Sequence, residues 1–459
     1  MAVQTVSGAV ASIGQVGLPV EQPKLLQARQ LQALSLGWHI ILVTFGVTFP
    51  GLVVFTEALY LRTGDRLYRD LARRWSKVMI VLFAVGAVSG TVLSFELGIL
   101  WPEFMAEFGD VFGLAFGLEG FAFFTEAIFI AIYVYGWDKL PERTHFLTGI
   151  PMIIAGHAGA FFVISVNAWM NHPTGFKVVG GEVTDVEPWA ALLSPAVWPS
   201  LVHMLLAAYI TCGFLVAGVY AWAWLKGDRR RIIRTAFIIP FTLAALATPA
   251  QLLVGDWIAR YVAVEQPVKL AAQEGLPETT DAAPFTIGGW YVDGEVKGGI
   301  EIPYLLSILA THDPNGEVIG LDSVPPEDRP PVNVVRMAFQ YMVGVGSALA
   351  LLAVWFLLTW WRWRRLPRSK WFFRAAVAAG PLAAGAVIAG WIVTEVGRQP
   401  WVVYEVMRTE SAVTAADSVN IFFGVIAAVY VALTIGTVYA LRRFARQNRE
   451  ADERSEHAA

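Results

Sequence analysis

The sequence predicts an all-α polytopic membrane protein with nine transmembrane helices, on the basis of its composition, its apolar stretches and its short basic runs. Of the 459 residues, 56% are hydrophobic and 15% are charged, and the mean hydropathy is +0.54. Soluble domains contain roughly 45–50% apolar and about 25% charged residues. The composition therefore excludes a soluble globular enzyme, and it also excludes disordered and collagen-like classes.

Nine stretches are apolar and long enough to cross a bilayer core of ~30 Å, which takes about 20 helical residues. We number them spans 1 to 9, at residues 35–60, 78–100, 111–136, 147–170, 197–225, 232–254, 334–361, 372–396 and 419–441. The single cysteine, Cys212, provides no CxxC motif and no iron–sulfur ligand set. Redox chemistry in this chain would therefore need a bound cofactor with other ligands.

The basic residues predict the orientation of these spans. Lys and Arg cluster between spans 1 and 2, after spans 5 and 7, and in the tail at 442–459, whereas the connection 171–196 contains only Lys177. By the positive-inside rule, the N-terminus lies outside and the C-terminus is cytoplasmic. The N-terminal segment 1–34 lacks the pattern of a cleaved signal peptide, and its residues 23–33 are expected to form an interfacial helix.

One long extracytoplasmic loop, at 255–333, joins the first six spans (35–254) to the last three (334–441). It is rich in Pro, Gly and acidic residues but also contains apolar segments, which favours a functional lid over an unstructured linker. The stretch KLAAQE places Lys269 and Glu274 five residues apart. A Lys–Glu pair alone is typical of a solvated surface, so its functional interpretation depends on what lies beneath the loop.

Ligand-type side chains at membrane depth are costly and need a partner, a cavity or a cofactor. The candidates are His39, Glu96, Glu119, Glu126, His157, His203, Met342 and Glu395. The predicted topology brings four of them to one level near the outer face: His39, His203, Met342 and Glu395. Haem fits this set best, because His with Met is a haem ligand pair and a lone His or carboxylate can hold five-coordinate iron. The alternatives are a hydrogen-bonded packing histidine, favoured for His157, and a core methionine.

Glu119 and Glu126 differ by seven residues and so lie on one face of span 3, about 10.5 Å apart along the axis. That spacing is typical of a proton path, although each carboxyl could instead bond a neighbouring helix. Four further histidines fall in predicted loops or the tail and are predicted to be surface residues: His145, His172, His312 and His457.

The chain resembles subunit I of cytochrome bd-type quinol oxidases over nearly its whole length. The motifs that carry the resemblance occur in family order: LQALSLGWHIILV, GLEGFAFFTEAIFIAIYVYGWDKL, VNAWMNHP, LVH, KLAAQE, IEIPYLLSILATHDPNGEVIGLD, MAFQYMV and WIVTEVGRQPW. The motif GRQPW, which follows the membrane glutamate Glu395, is the most specific of them.

The resemblance implies a role for each candidate. His203 and Met342 would be the axial ligands of a low-spin haem b, which takes electrons from quinol bound near Lys269 and Glu274. His39 would hold the oxygen-reducing haem, usually haem d, and Glu395 the high-spin haem b.

Further residues join these sites by the same resemblance. Arg398 and Trp391 would share the pocket of Glu395, while Glu119 and Glu126 would carry cytoplasmic protons inward. Gln340 stands where family members often have an arginine near the low-spin haem.

The chain departs from the family pattern at several points. The two span 3 glutamates are one residue closer than in better-known members, and Ala127 and Gly159 replace expected hydroxyl residues. The loop lacks a long insertion and resembles the short-loop type, which includes cyanide-insensitive oxidases. Some of those carry a further haem b in place of haem d.

The resemblance also implies partners and a location. The chain would pair with a smaller polytopic subunit II, with or without a small single-span accessory subunit, in a bacterial or archaeal plasma membrane. Its substrates would be membrane quinol and O2, and proton-motive force would arise without a pump. Nucleic-acid binding has no support in the sequence.

Rival functions are weaker. A haem–copper oxidase needs an adjacent histidine pair, which the sequence lacks, and a bis-histidine cytochrome b needs two histidines on one span, which none of the predicted spans has. A secondary transporter that uses the membrane carboxylates, or a family member that has lost one site, stays as the alternative.

Overall fold

The computed structural model describes residues 24–416 and 418–457, with side chains up to residue 450. Within these residues, nine helices are long and apolar enough to cross a membrane, which confirms the predicted fold class. Spans 1 to 9 comprise Leu25–Thr63, Arg66–Leu100, Pro102–Gly136, Glu142–Asn171, Val197–Leu225, Arg231–Glu265, Val332–Trp363, Lys370–Val396 and Val419–His457.

Most spans extend beyond their apolar stretches because polar residues continue or cap the helix. Span 1 ends at Gly64, whose φ of 70° suits glycine, and span 2 begins at Asp65, whose side chain accepts a hydrogen bond from Leu67 N. The segment predicted as a separate interfacial helix at 23–33 is helical from Leu25 but continues without a break into span 1. Residues 1–23 lie outside the described residues.

The connection between spans 6 and 7 is folded rather than slack. It contains a loop helix (Pro267–Glu274), an antiparallel loop hairpin (Phe285–Val292 with Glu295–Ile302) and a further helix, Leu305–Thr311. Leu270, Leu306 and Leu321 are buried in a common core with Val335 of span 7. Since span 6 continues to Glu265, the connection is shorter than its apolar boundary predicts.

Smaller elements cover the same end of the bundle. A two-stranded hairpin (Lys177–Val179 with Glu182–Thr184) and the helix Pro188–Leu192 follow span 4. A second pair of strands, Trp401–Val403 with Met407–Arg408, and the helix Thr409–Ala412 follow span 8. We call this the loop end of the bundle, defined by the connections 172–196, 266–331 and 397–418.

Small residues allow the spans to approach closely, as they do in membrane helix pairs. The most extensive packing joins spans 5 and 6, 3 and 4, 1 and 2, and 5 and 8. A Cβ on Gly213 of span 5 would lie 2.7 Å from the carbonyl oxygen of Pro240, and one on Gly380 would lie 2.8 Å from Leu215 Cα. Aromatic rings, including those of Phe237 and Phe241, fill the core between spans 5 to 8.

Candidate functional site

His39 is held with one ring nitrogen free to act as a ligand. Its Nδ1 lies 2.7 Å from Ser89 Oγ, and the Ser89 hydroxyl donates to the carbonyl of Gly86 at 2.9 Å. Because the serine proton is already used, Ser89 accepts from Nδ1–H, which leaves the lone pair on Nε2. A hydrogen bond that fixes the tautomer in this way is the usual support of a metal-binding histidine.

Gly90 makes room for that ring. A Cβ at this position would lie 3.2 Å from His39 Cε1, so the ring would have to shift by a few tenths of an ångström. The dipeptide Ser89–Gly90 on span 2 therefore both holds and accommodates His39.

His203 of span 5 faces span 6. The amide nitrogen of Gln251 lies 3.2 Å from His203 Nε2, and Gly255 lies one turn further along span 6 beside the same ring. His203 Nδ1 and Gln251 Oε1 are buried and have no hydrogen-bond partner among the described residues. Buried polar atoms are normally satisfied, so these orphaned atoms fit a site built for an additional group.

Met342 of span 7 lies against span 8. A Cβ on Gly390 would lie 3.2 Å from Met342 Sδ, so the glycine leaves space around the thioether. A thioether is a soft iron ligand that pairs with histidine in low-spin haem. Among the described residues, no group of three or more His, Cys, Asp or Glu side chains is arranged to hold a metal ion.

Glu395 lies at the end of span 8 in a charged cluster. One carboxylate oxygen accepts a hydrogen bond from Asn167 of span 4, and the other accepts from Arg398 Nη2 at 2.7 Å. The Arg398 side chain is 1% exposed, and its Nε and Nη1 atoms have no partner among the described residues. A buried guanidinium with two free donors fits an anionic group such as a haem propionate. Trp391, four residues before Glu395, is half-buried.

Lys269 of the loop helix lies beside this cluster. Its Nζ is 2.5 Å from Asn171 Oδ1 and also bonds Gln266 Oε1, and its side chain packs on Gly397. Burial lowers the pKa of Lys269 well below its usual value; nearby Arg398 lowers it further, and Glu395 opposes the shift. The fold therefore brings Lys269, a candidate in the loop, close to Glu395, a candidate in span 8.

Glu274 closes the loop helix and is also buried. Burial raises the pKa of its carboxyl group to about 8, against the opposing charge of Arg336. Its Oε2 atom has no partner among the described residues. A carboxyl group with a pKa near neutrality can exchange a proton with a substrate.

Gln340 binds the loop hairpin. Its side-chain amide accepts from Gly288 N and donates to the carbonyl of Thr286, both at 3.1 Å. Arg336, one turn earlier on span 7, is fully buried and donates to the carbonyls of Glu274, Thr286 and Gly288. Span 7 therefore carries both Met342 and the two residues that fix the loop.

Glu119 and Glu126 lie on one continuous helix, as their spacing requires. Glu126 is 8% exposed, and a Cβ on Gly156 of span 4 would lie 3.1 Å from its Oε1. That oxygen has no hydrogen-bond partner in the described structure. A small pocket between spans 1, 2 and 3 opens beside it, lined by apolar residues that include Phe49 and Ile130.

The structure corrects the prediction for His145. This histidine is 2% exposed; its Nδ1 lies 2.7 Å from Glu57 Oε1, and its Nε2 bonds the carbonyl of Tyr133. The prediction failed because the apolar stretch of span 4 starts at 147, whereas the helix starts at Glu142. Span 4 therefore contains both His145 and His157, so the prediction that no span holds two histidines was also wrong, but both ring nitrogens of His145 already bond protein atoms.

The other histidines differ in their surroundings. His172, also predicted to lie on the surface, is 18% exposed and paired with Glu265. His312 is exposed as predicted, and the His457 side chain lies outside the described part. His157 bonds Ile153 O and Tyr209, which agrees with a packing histidine.

Sequence reasoning missed the neutral residues of the site. Asn167 and Asn171 lie in the motif VNAWMNHP, and Gln266 precedes KLAAQE, so the motifs contained the signal. Arg336, an arginine in the first turns of an apolar span, was also detectable as a costly membrane charge.

The chain is similar to known proteins over most of its length. The sequence profile of the family "Cytochrome bd terminal oxidase subunit I" matches residues 27–449. The chain is 35% identical over 434 residues to "Putative cytochrome bd menaquinol oxidase subunit I" of Bacillus subtilis (strain 168), covering 92% of this chain and 97% of the relative. It is 30% identical over 450 residues to "Cytochrome bd ubiquinol oxidase subunit 1" of the same strain, covering 95% of each. The solved structure of bd oxidase from Geobacillus thermodenitrificans matches with a TM-score of 0.87 and 39% identity, covering 92% of this chain and 98% of that one.

Proposed function

This chain belongs to the cytochrome bd terminal oxidase subunit I family, and we propose that it carries the haem ligands and the quinol site of a terminal oxidase. It is a multi-pass membrane protein with quinol:O2 oxidoreductase activity. The observation that carries the proposal is the position of Lys269 beside Glu395 and Arg398, which joins the loop to the charged end of span 8.

The proposed ligand set uses four separate side chains. His203 and Met342 hold a low-spin haem b, Glu395 holds a high-spin haem b with Arg398 and Trp391 beside it, and His39 holds haem d or a further haem b. When bound, these haems supply the one-electron and oxygen chemistry. The free lone pair of His39, the orphaned ring nitrogen of His203 and the free donors of Arg398 support the assignment.

Quinol binds beneath the connection 266–331, between Lys269 and Glu274. The buried Lys269 amine, whose pKa is lowered by burial, is suited to accept a proton from a quinol hydroxyl. Glu274 is suited to donate to or accept from the second hydroxyl, since burial raises its pKa to about 8. Gln340 and Arg336 hold the loop over this space.

Protons for oxygen reduction enter from the cytoplasm along span 3. Glu126 and then Glu119 take up and pass on these protons, with Glu126 beside the small pocket near Gly156. Quinol protons leave at the outer face, so a proton-motive force forms without pumping. This assignment requires the N-terminus outside and the tail 442–459 in the cytoplasm, as the basic residues predict.

The subunit acts in a bacterial or archaeal plasma membrane with a smaller polytopic subunit II. A small single-span accessory subunit is compatible with this assembly. The exposed apolar side chains of span 9, such as Ile421 and Ile435, need either lipid or a partner to cover them.

Difference spectroscopy tests the proposal. The purified membrane complex should show haem b bands in a dithionite-reduced minus air-oxidised spectrum, and pyridine extraction should identify the haem types. A far-red chlorin band indicates haem d, whereas haem b alone indicates the haem-d-free type. A complex without haem would favour a transporter and contradict the ligand assignments.

Ligand variants assign the individual haems. M342L should abolish the low-spin haem signal while the signals that depend on His39 and Glu395 remain. M105L, a methionine of span 3 in an aromatic core, is the matched control and should leave all bands unchanged. Equal spectra for M342L and the parent would contradict the Met342 assignment.

A further inference from the structure

Two helix ends meet beside Lys269. Span 4 ends at Asn171 and span 6 ends at Glu265, and the next residues, His172 and Gln266, cap these helices. The backbone N–H of His172 bonds Ala168 O, and that of Gln266 bonds Val262 O, each at 2.9 Å. Four polar side chains from two helix termini therefore face each other next to the loop helix.

These side chains form an inner and an outer pair. In the inner pair, Gln266 Nε2 donates to the carbonyl of Asn171 at 3.0 Å, and both residues bond Lys269 Nζ. In the outer pair, His172 Nδ1 lies 3.1 Å from Glu265 Oε2. Asn171 and His172 are adjacent, as are Glu265 and Gln266, so any movement of one pair moves the other.

The two pairs differ in their access to water. Lys269 is 3% exposed, whereas the His172 and Glu265 side chains are 18% and 20% exposed. Water therefore reaches the paired imidazole and carboxylate more readily than it reaches the Lys269 amine. Both groups of the outer pair can bind and release protons, unlike the two amides of the inner pair.

We propose that the His172–Glu265 pair is the outlet that receives protons released when quinol is oxidised at Lys269. The inference rests on the proposed quinol site. Oxidation breaks two O–H bonds of the quinol, and its two electrons leave for O2 through the established oxidase reaction. Each of the two protons passes in turn to Lys269, and the outlet returns them one at a time to outer water.

The amides position this transfer without carrying the proton. Asn171 and Gln266 fix the Lys269 amine, and water reaching the partly exposed outer pair completes the transfer. The charged and titratable groups around the outlet are Tyr261, whose ring centroid lies 6.1 Å from that of His172, and Lys269 of the loop helix. Glu395 and Arg398, at the end of span 8, act on the charge of Lys269.

The variant E265Q separates proton transfer from structure. Glutamine can keep a hydrogen bond to His172 but cannot accept a proton at neutral pH. In the purified complex under anaerobic conditions, rapid mixing with quinol should reduce the haems roughly 100-fold more slowly, at the low end of general-base effects. The slower step should also show a larger solvent isotope effect in D2O. Dithionite reduction and the haem spectrum should be unchanged, because they involve no quinol proton.

The matched control is D185N, the same carboxylate-to-amide change in the exposed pair Lys177–Asp185 at the loop end. H172Q removes the other member of the pair. It replaces E265Q as the test if the E265Q complex does not assemble. Parent-like rates and isotope effects in both outlet variants would overturn the inference, and so would a raised quinol KM with unchanged kcat. A parent complex that quinol cannot reduce would instead contradict the proposed function.

Discussion

The buried guanidinium of Arg336 donates a 2.5 Å hydrogen bond to the backbone carbonyl of Glu274. The same side chain bonds two carbonyls of the loop hairpin, at Thr286 and Gly288. One residue of span 7 thereby fixes both the helix and the hairpin of the loop. Because Met342 lies six residues further on, the position of the loop is tied to that of the proposed low-spin haem ligand.

The first prediction concerns this arginine. R336M should loosen the loop, because the carbonyls of Glu274 and Gly288 lose the guanidinium donor, whereas the carbonyl of Thr286 keeps the donor from Gln340. Each orphaned buried group costs about 1–3 kcal/mol. Limited proteolysis or hydrogen exchange over 266–331 should show loss of protection, while helical content stays unchanged. Q340A, which removes two hydrogen bonds, should have a smaller effect in the same direction.

V334A is the matched control for R336M, since Val334 lies on the same turn of span 7 but is 50% exposed. It should leave the protection of the loop at the level of the parent. Equal protection in R336M and V334A would show that the hairpin is held by other contacts.

The membrane fold was predictable because hydropathy reports directly on burial in lipid. The nine apolar stretches located the spans, but polar first turns such as Glu142–Phe146 lay beyond them, and the burial of His145 was missed for that reason. Helix ends depend on capping and tertiary contacts, which local composition does not report.

The charged candidates of the site were predictable for a related reason: ionisable groups are conspicuous in an apolar segment. Their neutral partners are not conspicuous. Asn167 and Asn171 become part of the site only when span 4 packs beside span 8 and the loop helix. The role of Gln340 in holding the hairpin likewise depends on strand register, which brings Thr286 and Gly288 onto span 7.

The second prediction is a pH dependence from Glu274. Its folded pKa, about 8, lies above its ordinary value of 4.5, so folding favours the protonated form. The stabilisation is complete below about pH 4.5 and is lost as pH rises through about 8, by a few kcal/mol in total. Thermal unfolding of the complex between about pH 5 and 9 should show this loss in the parent and less of it in E274Q. A parallel pH dependence in the two proteins would contradict the assignment.

The third prediction concerns the buried pair Glu57–His145, which the Tyr133 hydroxyl completes by donating to Glu57 Oε2 at 2.6 Å. H145L leaves a buried carboxylate without its partner and should cost about 3–5 kcal/mol. The double variant E57L/H145L should recover part of that loss, because well-packed apolar groups can replace a buried pair. Thermal denaturation of the solubilised complex measures both effects. The control variant K177L removes a surface charge and should cost less than about 1 kcal/mol of stability. If the H145L protein were as stable as the K177L protein, the prediction would be contradicted.

The fourth prediction tests the His39 site through its neighbour rather than through the ligand. G90A adds one methyl group 3.2 Å from His39 Cε1 and should push the ring away from its hydrogen bond with Ser89. Displacing a ligand from its supporting hydrogen bond typically lowers metal affinity or activity roughly 10- to 100-fold. We therefore expect G90A to lose haem from the proposed oxygen site and to reduce oxygen more slowly, while quinol still reduces the proposed low-spin haem. G98A is the matched control on the same span, because nothing lies within 4 Å of a Cβ there. Both changes raise helix propensity equally. A loss of haem in G90A but not in G98A would therefore arise from contact with His39. Full haem content in G90A would place the oxygen site elsewhere.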